Sequence, residues 1–166
     1  VAAFLGGLAL GARFLGGPLA RRPALARVYA LLELGVALLG IAMLPLLRSL
    51  DGPVGQLYRA FGGESAAFAF ARVVLLFVLL VPPAALMGAT LPVRVARVER
   101  GALGAGLAWL YAINPLGAVL GSMLGGFFLM PTYGLTATTI VAAALNVFAG
   151  LVAWFSPADP REARPI

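Results

Sequence analysis

Five stretches of this chain are each long and apolar enough to cross a lipid bilayer as a helix, and nothing else in it constrains the fold so much. They cover residues 1–17, 28–50, 67–93, 104–130 and 135–155. A hydrocarbon layer about 30 Å thick asks for roughly 20 apolar residues, within a range of about 17–25. Water is a poor solvent for such a chain. Of its 166 residues 62% are hydrophobic and only 11% charged, whereas a soluble domain runs near 45–50% apolar and about a quarter charged. Lipid offers backbone N–H and C=O groups no partners, so each run must close its own hydrogen bonds as a helix. The period-2 alternation of a barrel strand is missing from all five. The expected fold class is therefore all-α, a polytopic helical membrane bundle. Residues 1–156 form its transmembrane domain and 157–166 a cytoplasmic tail or linker.

The polar gaps set the orientation. All twelve basic residues are arginine and the net charge is +6. Arg21, Arg22 and Arg27 fill the first gap, and Arg94, Arg97 and Arg100 fill the third against Glu99. Arg161 and Arg164 follow the last run. The alternate gaps are poorer: DGPVGQLYRAFGGES carries Arg59 against Asp51 and Glu64, and PTYG carries no charge. Arginine-rich gaps face the cytoplasm, so these two gaps and the tail are expected there. Val1 then falls on the outer side, which implies a preceding helix and six spans in the parent domain. The same scatter of arginines among apolar runs argues against a nucleic-acid-binding patch.

Few polar groups lie within the runs. Glu33, in VYALLELGVALLG, is an ionisable side chain at membrane depth, a position that is costly and by default a functional candidate. Two readings stand: a structural role, in which it pairs with a loop arginine or with Arg13 or Arg72 within the spans, or caps a neighbouring helix, and a role in substrate or proton coupling. Both arginines lie near enough to a run's end to snorkel. Pro82 and Pro83 interrupt the third run near its middle and predict a kink or unwound point, and Pro92 is expected to close it. Interrupted helices also line transporter pathways, where freed carbonyls meet substrate. In WLYAINPLGAVLGSMLGG, Tyr111 and Asn114 are the polar candidates near its start. Asn114 can bond across helices or to a substrate; packing glue is the default.

Gly7 and Gly11, and Gly117, Gly121 and Gly125, follow small-xxx-small spacing. That pattern bares backbone on one helix face and lets another helix approach closely. It signals packing and carries no chemistry of its own. The chain has no cysteine and no histidine, which removes the thiolate and the commonest general base. There is no phosphate-binding glycine loop, dinucleotide fingerprint, paired carboxylates or nucleophile with a base. No catalytic residue, metal site or cofactor is expected in this chain.

Three blocks in order, FLGGLALGARFLGG with its arginine-rich turn and YALLELGVALLG, then PPAALMGATLPV, then LYAINPLGAVLGSMLGGFFLMPTYGL with ALNVFAG, resemble a known family. They are similar to the membrane domain of the bacterial fused major-facilitator/spermidine synthase-like proteins, over essentially the whole chain. The family's NTLGA reads NPLGA here, with Pro115 in the threonine position. The turn GGPLARRP resembles a major-facilitator cytoplasmic loop but lacks its aspartate.

The resemblance implies half a facilitator in helix count, in a bacterial inner membrane. It also implies a cytoplasmic aminopropyltransferase (spermidine synthase) domain that lies outside this chain. A polyamine or related cationic metabolite is the implied substrate class. Glu33 would meet the cation, with Asn114, Tyr111 and the Pro82–Pro83 break near the pathway. The alternative is a membrane anchor, scaffold or regulatory domain for the synthase. Expected partners are the bilayer, the preceding helix, the soluble domain and a second copy of the chain.

Overall fold

The structure is a computed structural model that describes residues 1–63, 65–101 and 105–156; Glu99, Arg100, Gly101, Ala105 and Leu107 are described as helix backbone only. The tail at 157–166, with Arg161 and Arg164, lies outside the described residues, as does Glu64. Among the described residues every regular element is helical. In chain order they are α1 (Ala2–Leu10), a π-helical turn (Gly11–Gly16), α2 (Gly17–Leu19), α3 (Leu25–Ser49), α4 (Asp51–Phe61), α5 (Ala66–Gly101), α6 (Ala105–Met123), a second π-helical turn (Leu124–Leu129) and α7 (Met130–Trp154). Four helical stretches are long and apolar enough to cross a membrane: Ala2–Leu19, Leu25–Ser49, Ala66–Val98 and Ala108–Trp154. They are apolar on every side, as helices surrounded by lipid are.

Two expectations need correction, at the prolines of the third run and at the gap before it. The fourth and fifth runs lie in a helical stretch of 47 residues, Ala108–Trp154. As a straight rod it would be about 70 Å long. The backbone instead leaves the helical region at Gly134, with φ 77° and ψ 176°, a conformation essentially reserved for glycine. Pro82, Pro83 and Pro92 all sit inside α5, which stays helical through them to Gly101. Neither the unwound point nor the stop at Pro92 is present. Each proline removes one backbone donor, and neighbouring helices make such losses tolerable in a membrane. The gap at 51–66 is no plain loop, because it contains α4. Val54, Leu57, Tyr58 and Phe61 recur at helical spacing there and give α4 one apolar stripe.

Pairings read from close approaches fix the helix directions. Gly7 lies against Val81 and Ala84, Gly11 against Ala85, and Gly16 against Ala89 and Pro92. Both numbers rise together, so α1 runs parallel to α5. Gly35 meets Leu86 and Tyr29 meets Arg94, so α3 runs antiparallel to α5. Gly150 meets Ala30, Arg27 meets Trp154 and Arg48 meets Thr136, so α7 is antiparallel to α3. The densest core gathers Leu25, Leu32, Ala89 and Val93, with Leu19, Leu86 and Ala96 packed around them. It sits where the arginine-rich ends of α2, α3 and α5 converge.

Candidate functional site

Glu33 is set by α3, one helical turn after Tyr29. Side chains four residues apart stack on one helix face, which sets the Tyr29 phenol beside the Glu33 carboxylate. Arg94 reaches in from α5, its Cζ 5.4 Å from the Tyr29 ring centroid, within the range of a cation–π contact. The third wall is α7. A Cβ added at Gly150 would stand 3.2 Å from the Ala30 carbonyl oxygen and 3.5 Å from Glu33 Cβ, so bare backbone presses against the stem of the acid. The result is a carboxylate and a phenol on α3 with a guanidinium from α5 beside them, α5 and α7 each packing against α3.

Chemically, the cluster offers an acceptor carboxylate with a neutral phenol beside it. Glu33 forms no ion pair among the described residues, and neither Arg13 nor Arg72 is its partner. Arg13 lies 5.9 Å from the Phe14 ring centroid and is exposed, as is Arg72. A carboxylate that no guanidinium pairs with keeps lone pairs available for a cation or a proton. Arg94 stands over the ring and supplies positive charge nearby.

The other candidate residues are placed elsewhere. Tyr111 and Asn114 are exposed on α6, which packs on α5 near its start and on neither α3 nor α7. The structure does not bring them to Glu33. Pro82 and Pro83 flank the stretch of α5 that meets α1, since Val81 and Ala84 touch Gly7. Gly7 and Gly11 stand at that seam, and a Cβ at Gly11 would overlap the Ala85 carbonyl. Gly117, Gly121 and Gly125 have nothing within 4 Å of an added Cβ; their face is open within this chain.

Arg27 and Arg94 are brought to one end of the bundle, over Trp154 and Tyr29. Arg21, Arg22 and Arg97 flank the same end in sequence, and the side chain of Arg100 lies outside the described residues. Among the described residues no three His, Cys, Asp or Glu side chains come together.

Sequence reasoning missed Tyr29 and the local role of Arg94. The Tyr-x-x-x-Glu spacing was the available signal for the first. For Arg94, which lies 61 positions from Glu33 in the chain, there was none. Gly16, Gly88 and Gly150 were likewise passed over, although each is buried at a helix crossing. No protein-family model, curated protein or solved structure matches this chain.

Proposed function

We propose that this chain is the transporter-like membrane domain of a spermidine synthase-like protein, handling a polyamine or related cationic metabolite. The observation that carries the reading is Glu33: a carboxylate in an apolar helix, beside a phenol and free of any arginine pair among the described residues. Burying an acid at such depth costs a few kcal/mol, and a cation passing Glu33 would offset that cost. Five crossings fit the helix directions. Arg94 near the end of α5 lies beside Tyr29, whereas Thr136 lies beside Arg48 at the far end of α3. The segment from 105 to 133 therefore travels from one end of the bundle to the other. Orientation follows the arginines, with the Arg27–Arg94 end cytoplasmic.

The test is uptake of labelled spermidine by proteoliposomes containing the purified chain. Glu33→Gln is expected to abolish most of it while leaving the helical content unchanged. Uptake that survives Glu33→Gln at the wild-type rate refutes the role of the acid. A second reading, a non-transporting anchor or scaffold for an aminopropyltransferase domain, is favoured by one observation. The glycine face of α6 stands open, as a helix reserved for another partner would. Vesicles that take up no spermidine, containing chains that self-associate through α6, would select that reading.

A further inference from the structure

At the end of the bundle opposite Glu33, α3, α4 and α5 enclose an open-sided cleft of about 480 Å³. That volume lies within the roughly 300–1,000 Å³ typical of small-ligand sites. Leu47 at the end of α3 and Leu50 just after it form one wall, and Val54 and Gly55 of α4 another. The third wall is α5, from Phe68 down to Leu79. The rise of α5 between those two residues is about 16 Å. One leaflet of a hydrocarbon layer about 30 Å thick has the same depth. Asp51 is the single charged residue of the lining. It opens α4 where the apolar run of α3 stops, at the level of the lipid head groups.

α4 itself is too short to cross a bilayer, at about 16 Å, and its apolar stripe suits a helix lying in the interface. The cleft therefore has the form of a slot that starts under an interfacial helix and descends one leaflet. Its walls are hydrocarbon and its mouth holds a carboxylate. No cation lines it: Arg48 donates from Nη2 to Thr136 Oγ1 at 3.4 Å, and Arg59 lies outside the lining.

We propose that this cleft is a binding site for one phospholipid of the surrounding bilayer, an acyl chain in the slot and an ammonium head group on Asp51. The site is independent of Glu33 and of any transport. Gly55 makes it testable, because a Cβ added there has nothing within 4 Å. A large side chain at Gly55, a residue of the lining, has room to be accommodated and to take up cleft space.

The experiment is native mass spectrometry of the detergent-solubilised chain, incubated with equal amounts of phosphatidylethanolamine and phosphatidylglycerol of identical acyl chains. The wild type is expected to retain one phosphatidylethanolamine in preference to phosphatidylglycerol. Gly55→Phe should lose both lipids. Asp51→Asn should keep acyl binding and lose a head-group preference of roughly tenfold, the worth of one charge-assisted contact. Leu76→Trp fills the same cleft from α5 and serves if Gly55→Phe misfolds. Three results overturn the proposal. One is equal retention of the two lipids by the wild type. Another is a preference for phosphatidylglycerol, whose phosphate would then follow Arg48 and Arg59. The last is undiminished retention when the cleft is filled.

Discussion

Gly11→Ala and Gly117→Ala are the same substitution in the same small-xxx-small motif, and the structure gives them opposite signs. At Gly11 the added Cβ would stand 2.5 Å from Ala85 Cα and overlap the Ala85 carbonyl. Ordinary van der Waals contact begins near 3.4 Å. The obstacle is backbone, which cannot rotate aside, so α1 and α5 must part by roughly 1 Å. Parting them loosens the whole seam, including the contact of Gly7 with Ala84 and of Gly88 with the Leu8 carbonyl. Overpacking of this kind costs about 1–3 kcal/mol, and the backbone clash places it at the upper end. Alanine returns about 1 kcal/mol through helix propensity.

The net expectation for Gly11→Ala is a loss of about 2 kcal/mol, or a fall in melting temperature of roughly 4–8 °C for a chain this size. Gly117 meets nothing within 4 Å, so Gly117→Ala keeps the propensity gain of up to about 1 kcal/mol and melts no lower than wild type. Thermal unfolding in one detergent, followed by helical circular dichroism and by the fluorescence of Trp109 and Trp154, measures both. A Gly11→Ala chain as stable as wild type would refute the α1–α5 seam. A Gly117→Ala monomer as destabilised as Gly11→Ala would refute the open face of α6.

Gly134 adopts φ 77° with ψ 176°, so Gly134→Ala should destabilise the break within the first turns of α7 by about 1–3 kcal/mol; an unchanged melting curve would mean the break is absent. Ala24 is the one non-glycine residue with positive φ among the described residues, at φ 58°. Ala24→Gly should therefore stabilise the turn into α3 by about 1 kcal/mol, visible as a higher melting temperature. The lack of cysteine makes single-cysteine labelling clean. In intact cells, Gln56→Cys on α4 should react with a membrane-impermeant maleimide and Pro23→Cys only after lysis. The reverse pattern would invert the orientation.

The lipid-embedded helical character of this chain is legible without coordinates, because hydropathy is a sum over neighbouring residues and lipid leaves a backbone only one way to bond itself. Arg21, Arg22, Arg27, Arg94 and Arg97 mark one end for the same local reason: charge collects where a run stops. What lies within a run is less legible. Pro82 and Pro83 look like a break, yet α5 remains helical through them. Proline's missing donor is a local deficit that packing can absorb. The departure from helix at Gly134 falls instead in the PTYG gap between two apolar runs, where a glycine can take a dihedral closed to other residues. Helix α4 was hidden because its apolar stripe is short and sits among glycines and charges.

The candidate site divides in the same way. Glu33 stands out in the sequence, since an acid in an apolar run needs a reason. Its company does not. Tyr29 was within reach at i−4, but Arg94 and Gly150 arrive from helices whose order and direction no local pattern encodes. The glycine motifs carry the clearest lesson. Spacing of four residues establishes that a helix face is thin, and Gly7 and Gly11 share that property with Gly117, Gly121 and Gly125. Only the tertiary arrangement decides that the first pair meets the backbone of α5 while the second set faces no part of its own chain. A face's shape is written in its own residues, whereas what stands opposite depends on where every other helix goes.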